Sequence, residues 1–119
     1  MVSAARALGA EKLVVWDFKD ERKPDQLRSI MDVLIKKKNI SAAIVAARIE
    51  GKPFAIVGVR QDVAARGLKA GDVARELGAR AGGSGGGKDH LAQFGMSDDA
   101  QVAGAFAEFE RRAAAHLGA

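Results

Sequence analysis

The sequence contains no cysteine and only two histidines, and these absences exclude several kinds of chemistry. Without cysteine there can be no disulfides, no zinc sites built on thiolates and no cysteine nucleophiles. His90 and His116 stand far apart in the chain, and no cluster of acidic residues accompanies either of them. Because a metal site needs three or four converging ligands, we predict neither a metal site nor catalytic residues in this chain.

Long apolar runs are also missing, since no stretch approaches the roughly 18 residues of a membrane span. The first residues, Met1 to Arg6, lack the apolar core of a signal peptide. We therefore expect a cytoplasmic protein with no membrane partner. Aromatic residues make up only 5% of the chain, so small and branched side chains are expected to fill its core.

The net charge of +4 is concentrated in the first half of the chain. Residues 1–60 carry twelve Lys and Arg against seven Asp and Glu, whereas residues 61–119 carry seven against eight. A basic half is compatible with a polyanionic partner such as nucleic acid, but it does not require one.

Residue patterns predict alternating strands and helices. The predicted strands are 12–18, 41–49, 54–59 and 91–96, and the predicted helices begin near residues 24, 68 and 97. Pro24 suits the first position of a helix, and the nearly unbroken apolar run at 41–49 indicates a strand buried on both faces.

These elements predict an α/β (α+β) fold with two layers, in which helices pack on a mixed sheet of about four strands. We assign this domain to residues 12–119. Residues 1–11 are rich in alanine and are expected to form a helical tail or the remnant of a preceding region.

The most informative segment is a glycine-rich run, Gly82-Gly83-Ser84-Gly85-Gly86-Gly87-Lys88. Glycine loses more backbone freedom on ordering than any other residue, so we expect neither a helix nor a strand interior here. The run is either a loop that approaches a ligand or a flexible linker, and its ordered surroundings favour the loop. A nucleotide-binding P-loop fits poorly, because Asp89 stands where Ser or Thr would hold magnesium and the run follows a helix.

If the run binds phosphate, its consecutive backbone N–H groups form a concave anion site. We expect the amides of Gly85, Gly86 and Gly87 to contact the phosphate, with the charge of Lys88 at the edge. The other candidate contacts are His90, for which a partly buried structural role is the alternative, and the cations Arg66, Lys69 and Arg80.

The run and the residues after it, Gly82 to Gln93, resemble the glycine signature near the C-terminus of alanyl-tRNA synthetases. Residues 25–32, 56–59 and 69–77 are similar to other parts of that C-terminal domain, which is called C-Ala or DHHA1. After the glycines the family usually has Arg-Pro-Asp-Met-Ala-Gln-Ala-Gly-Gly. This chain keeps a basic residue at Lys88 but has no proline after it and no acid at position 90.

The resemblance implies a non-catalytic domain that binds the elbow of tRNA(Ala), links aminoacylation with editing, and often contributes to a homodimer. No DNA partner is expected. This chain alone would then be no enzyme, whereas its parent protein would be an alanine–tRNA ligase. The domain would need no cofactor, because ATP and zinc belong to parts of the parent that are absent here.

Two alternatives stay open. The first is a dimerisation or protein-interaction module with weak or lost tRNA binding. The second is the nucleotide-binding accessory domain of a DHH-type phosphoesterase, which would require an upstream metal-binding domain.

Overall fold

A computed structural model describes residues 5–8 and 11–117 of the chain. Its strands are β1 (Ala5–Leu8), β2 (Glu11–Glu21), β3 (Ala42–Ile49), β4 (Lys52–Val59), β5 (Gly85–Gly87) and β6 (Leu91–Gly95). They form one sheet in the order β1-β2-β3-β4-β6-β5. Strands β2 and β3 run parallel, and every other neighbouring pair is antiparallel.

The helices are α1 (Pro24–Asp32), α2 (Gln61–Ala65), α3 (Ala70–Arg80) and α4 (Ala100–Leu117). Pro24 opens α1, as predicted, because the first helical position needs no N–H donor. A π-helical turn, Val33–Lys37, continues α1 toward β3. The short helix α2 was not predicted from the sequence.

Each face of the sheet carries an apolar core. One face, which includes Ile44, Val57 and Phe94, is buried beneath α3 and α4. The opposite face, which includes Val45 and Ile56, is buried beneath α1 and its π-helical turn. Successive side chains of a strand point to opposite faces, so the apolar strands β3 and β4 need a helical layer on each side.

The mixed α/β class is therefore confirmed, and two details differ from the prediction. Helices cover both faces, which gives three layers instead of two. The sheet has six strands instead of about four, because β1 and β5 were not expected to be strands.

Strand β1 lies within the segment for which a helical tail was expected. Ala5 pairs with Val14 and Leu8 pairs with Glu11, so β1 extends the sheet beyond β2. Helix propensity is a weak preference, and here the unpaired hydrogen-bonding edge of β2 overrides it. Residues 1–4, 9 and 10, which belong to the same expected tail, lie outside the described residues.

An ion pair joins the two parallel strands on the face covered by α4. Arg48 of β3 donates two hydrogen bonds to the Asp17 carboxylate of β2, at 3.0 and 3.1 Å. Both side chains are only 12% exposed. Asp99, just before α4, contacts the Arg48 guanidinium at 2.8 Å, and the hydrogen bond to Asp17 raises the pKa of Arg48 above its usual value.

Candidate functional site

The glycine-rich run is ordered as the edge of the sheet. Its central residues form β5, which pairs antiparallel with β6 through Gly85↔Phe94 and Gly87↔Ala92. The expectation that the run contains no strand was therefore wrong, and the flexible-linker alternative does not apply. Hydrogen bonds to β6 and close contact with α3 offset the entropy that glycine loses on ordering.

Glycine is required in β5 because α3 lies too close for a β-carbon. A β-carbon on Gly85 would stand 2.5 Å from the Ala74 carbonyl oxygen. On the helix, a β-carbon on Gly71 would stand 2.7 Å from the Gly87 carbonyl oxygen, and one on Gly78 would stand 3.0 Å from the Gly85 nitrogen. Bare backbone on both elements thus lets α3 pack directly against β5.

The ladder between β5 and β6 also determines where the backbone amides point. Lys88 N–H donates to the Leu91 carbonyl oxygen at 2.9 Å, and Gly95 N–H donates to the Ser84 carbonyl oxygen at 3.0 Å. Hydrogen-bonded pairs alternate along an antiparallel ladder. Gly86, midway between these two pairs, therefore exchanges hydrogen bonds with its own partner on β6.

The three glycine amides consequently do not converge on one point, unlike the concave anion site expected from the sequence. The Gly86 amide is used within the sheet, and those of Gly85 and Gly87 point in the opposite direction along the plane of the sheet. The Gly85 nitrogen lies beside Gly78 of α3. Gly86 therefore supplies bare surface, whereas the N–H groups of Gly85 and Gly87 lie at the outer edge of the sheet, away from β6.

The face of β5 and β6 that points away from α3 forms an open groove. Two adjoining cavities of about 700 and 370 Å³ share Gly86 and Gln93. β-Carbons on Gly86 and Gly95 would meet nothing within 4 Å, so the floor is bare backbone. We call these two cavities together the glycine groove. Its basic lining side chains are Arg28, Lys52, Lys88 and His90, and no Asp or Glu is among its lining residues within the described part of the chain.

Arg28 belongs to α1, and its side chain forms the wall of the groove that faces β5. Its guanidinium donates to the Gln93 side-chain oxygen at 2.9 Å and to the Asp25 carboxylate at 2.6 Å. Sequence reasoning missed both Arg28 and Gln93. The sequence did contain one signal, the polar Gln93 within the mostly apolar run 91–96. Gln93 lies two residues from Leu91, so both side chains point to the same face of the sheet, the one that α1 covers.

Three of the predicted contacts gather near the turn between β5 and β6. Lys88 and His90 line the groove and are exposed, so His90 is not the partly buried side chain of the alternative. Ala70 N–H donates to the Asp89 carbonyl oxygen at 2.8 Å, which attaches the start of α3 to this turn. Lys69, the residue that precedes α3, is therefore close to the same turn and is exposed.

The structure does not bring Arg66 and Arg80 to the glycine groove. Arg80 ends α3, at the other end of the helix from Lys69, and its guanidinium lies 3.6 Å from the Glu108 carboxylate of α4. Arg66 directly follows α2. It lies close enough to Asp62 to help lower the pKa of that carboxyl, although the hydrogen bond from Arg60 has the larger effect. Neither residue lines either cavity of the groove.

The arginines and the lysines of the domain differ in how their charges are paired. On α3 and α4, Arg75 contacts Asp72, and Arg111 and Arg112 contact acidic partners at Glu108 and Glu76. In contrast, the side chains of Lys52, Lys69 and Lys88 make no ion pair or hydrogen bond with any residue that the structure describes. The groove and the neighbouring turn thus carry unpaired positive charge, as do the exposed lysines 36–38 at the end of the π-helical turn.

The described residues hold no group of three or more His, Cys, Asp or Glu side chains that could bind a metal ion. Among them, no helix is long and apolar enough to cross a lipid bilayer.

Comparison with known proteins gives a family match over most of the chain. A family model described as the DHHA1 domain matches residues 10–115. The alanine–tRNA ligase of Fusobacterium nucleatum is 36% identical over 107 residues, and that of Anaeromyxobacter dehalogenans is 35% identical over 100 residues. The two alignments cover 90% and 84% of this chain, but it spans only 12% and 11% of those relatives.

Solved structures agree with this family. The C-Ala domain from the Aquifex aeolicus alanyl-tRNA synthetase matches with a TM-score of 0.74 and 25% identity, covering 97% of this chain and 98% of that one. A DHH-domain protein described as a member of a family of ribosomal proteins matches with a TM-score of 0.56 and 17% identity, over 90% of this chain and 28% of that one. The second likeness concerns the fold alone.

Proposed function

Because the chain belongs to the DHHA1 domain family, we propose that it is the non-catalytic, tRNA-binding C-terminal domain of an alanine–tRNA ligase. Its partner would be the elbow of tRNA(Ala), and its role would be to link aminoacylation with editing. Similarity to the C-Ala domain over nearly the whole chain supports this assignment. We further propose that the parent protein is cytoplasmic. Its catalysis and its use of ATP and zinc would reside in the parts of the relatives that this chain does not span.

The observation that carries the proposal is the glycine groove. It is open, its floor is bare backbone at Gly86 and Gly95, and its charged lining is entirely basic. A folded RNA presents phosphates and 2′-hydroxyls on its surface, and proteins bind these by shape and charge. A basic groove with a flat floor suits such a backbone better than it suits a small apolar ligand.

Among the contacts expected from the sequence, Lys88, His90 and Lys69 are the ones that this groove supports. The side chains of Lys88 and Lys69 are exposed and have no acidic partner within the described residues. Arg80 is paired with Glu108, so using it for RNA would require that ion pair to be given up. We therefore assign the first RNA contacts to the β5–β6 turn.

The test is a titration of the domain with transcribed tRNA(Ala) at several salt concentrations between about 50 and 200 mM, where binding through phosphates weakens steeply. Lys88→Ala should lower the affinity and reduce the slope of log K against log salt by about one unit. Lys12→Ala is the matched control, because Lys12 is an exposed lysine on β2, four strands away from β5.

Each outcome has a defined meaning. An unchanged slope for Lys88→Ala removes Lys88 from the contacts. If the wild-type domain binds no tRNA at roughly tens of micromolar but sediments as a dimer, the interaction-module alternative replaces this proposal.

A further inference from the structure

We propose that the smaller cavity of the glycine groove is a binding site for one RNA phosphate, formed by Arg28, Gln93 and Lys88 above the bare backbone of Gly86. Gln93 is the positioning residue that holds Arg28 over the site. This inference rests on the proposed RNA-binding function, and it places one phosphate contact on the face of the sheet that α1 covers.

The geometry of Arg28 is the first support. The guanidinium has five N–H donors. One donates to Gln93 Oε1 at 2.9 Å and one to Asp25 Oδ1 at 2.6 Å. Three donors therefore have no partner among the described residues, although the side chain is held from two sides. A planar, pre-positioned guanidinium is well suited to bind two oxygens of a phosphate at once.

The composition of the cavity is the second support. Its volume is about 370 Å³, and its polar lining side chains are Arg28, Gln93, Lys88 and His90. The Gln93 side-chain nitrogen and the Lys88 ammonium have no hydrogen-bond partner among the described residues, and both can only donate. No carboxylate lines the cavity within the described part of the chain, so the site selects an anion.

The bare floor is the third support. The backbone of Gly86 is open to the cavity, because a β-carbon on this residue would meet nothing within 4 Å. Its backbone amide is used within the ladder to β6, so the strand itself does not supply the anion-binding donors. The site thus needs side chains from elsewhere, and α1 supplies the main one, 65 residues away in sequence from Gln93.

Gln93 is suited to this positioning role because its amide is neutral. A carboxylate at this position would hold Arg28 equally well but would cancel its charge. Asp25 does carry a negative charge, but its side chain is 91% exposed, and a pair with so exposed a partner is strongly screened by solvent. Most of the attraction of Arg28 for an anion is therefore retained.

The experiment compares the affinity of variants for a tRNA(Ala) transcript and its dependence on salt. Arg28→Ala should lower the affinity about tenfold and reduce the salt slope by about one unit. Arg28→Lys should keep the slope but lose affinity, because an ammonium cannot offer two donors in a planar fork. Arg75→Ala is the control, since it removes an exposed arginine of α3 without touching the groove.

The role of Gln93 is tested by Gln93→Leu alone and combined with Arg28→Ala. Gln93→Leu should lower the affinity severalfold without changing the salt slope, because the number of charges stays the same. In the Arg28→Ala background it should cost clearly less, because only the contact of the Gln93 side-chain nitrogen with the phosphate is then lost and residues that act as a unit are not additive. Thermal melting of each variant checks whether its fold is intact.

Three results would overturn the inference. If the wild-type domain binds tRNA and Arg28→Ala behaves like Arg75→Ala, the phosphate site is refuted while the proposed function stands. If Gln93→Leu costs the same with and without Arg28, the positioning role is refuted. If the wild-type domain binds no RNA, this inference and the proposed function fall together.

Discussion

Gly71 of α3 and Gly87 of β5 lie in backbone contact. A β-carbon on Gly71 would stand only 2.7 Å from the Gly87 carbonyl oxygen. The same strand presents an open surface at Gly86 on its other face. The glycines of the run therefore have two separate roles: on one face they permit a helix to pack directly on the strand, and on the other they form the floor of a groove.

The close approach of α3 to β5 predicts opposite effects for two glycine-to-alanine changes. Gly71→Ala should lower the free energy of unfolding by about 1–3 kcal/mol, because the new methyl group overpacks against fixed backbone. Gly104→Ala should raise it by about 0.5–1 kcal/mol, because Gly104 is in the interior of α4 and a β-carbon there meets nothing within 4 Å. Urea unfolding followed by circular dichroism measures both changes. Equal effects of the two substitutions would contradict the contact.

The Arg48–Asp17 pair predicts a second contrast. Asp17→Asn should lower the free energy of unfolding by about 2–3 kcal/mol, because it leaves a largely buried guanidinium without its main counter-charge. Asp99→Asn, which removes the other acidic partner of Arg48, should cost less than about 1 kcal/mol, because that side chain is 72% exposed. The same unfolding assay applies to both variants. A larger loss for Asp99→Asn would show that α4, rather than β2, determines the position of Arg48.

The ion cluster around Glu108 predicts how stability depends on pH. The hydrogen bond from Arg111, with help from Arg112 and Arg80, holds the pKa of Glu108 below its ordinary value of 4.5. A carboxyl whose pKa is lowered in the folded state contributes stability above the unfolded pKa, and this contribution is lost as the pH falls through the folded value. The wild-type domain should therefore lose more stability than Glu108→Gln when the pH is lowered from about 5 toward 3.

That comparison is made by chemical denaturation of both proteins across this pH range. Parallel curves for the two proteins would mean that the Glu108 carboxylate contributes nothing in the folded state. The Glu108→Gln variant should already be less stable than the wild type at neutral pH, because Arg111 and Arg112 lose their shared acidic partner.

Local patterns in the sequence were sufficient for the central part of the fold. The run 41–49 is apolar at nearly every position, and the structure buries β3 on both faces. Pro24 begins α1 as predicted, because a residue without an N–H fits only the first turn of a helix. The glycine signature also identified the family, which the match over residues 10–115 confirms. Each of these features depends on residues that are neighbours in sequence.

The sequence alone thus determined which segments are buried, where α1 starts and which family the chain belongs to, because burial pattern and backbone chemistry are local properties. Only the three-dimensional structure decided that Ala5–Leu8 and Gly85–Gly87 become strands. Each pairs with the strand that follows it in the chain, against the helix propensity of the first segment and the glycine content of the second. The tertiary structure also placed Arg28 beside Gln93 and drew Arg80 toward Glu108. Contacts of this kind depend on how helices pack across the sheet, and a charged side chain in a linear sequence does not indicate whether it will meet an acid or face an open groove.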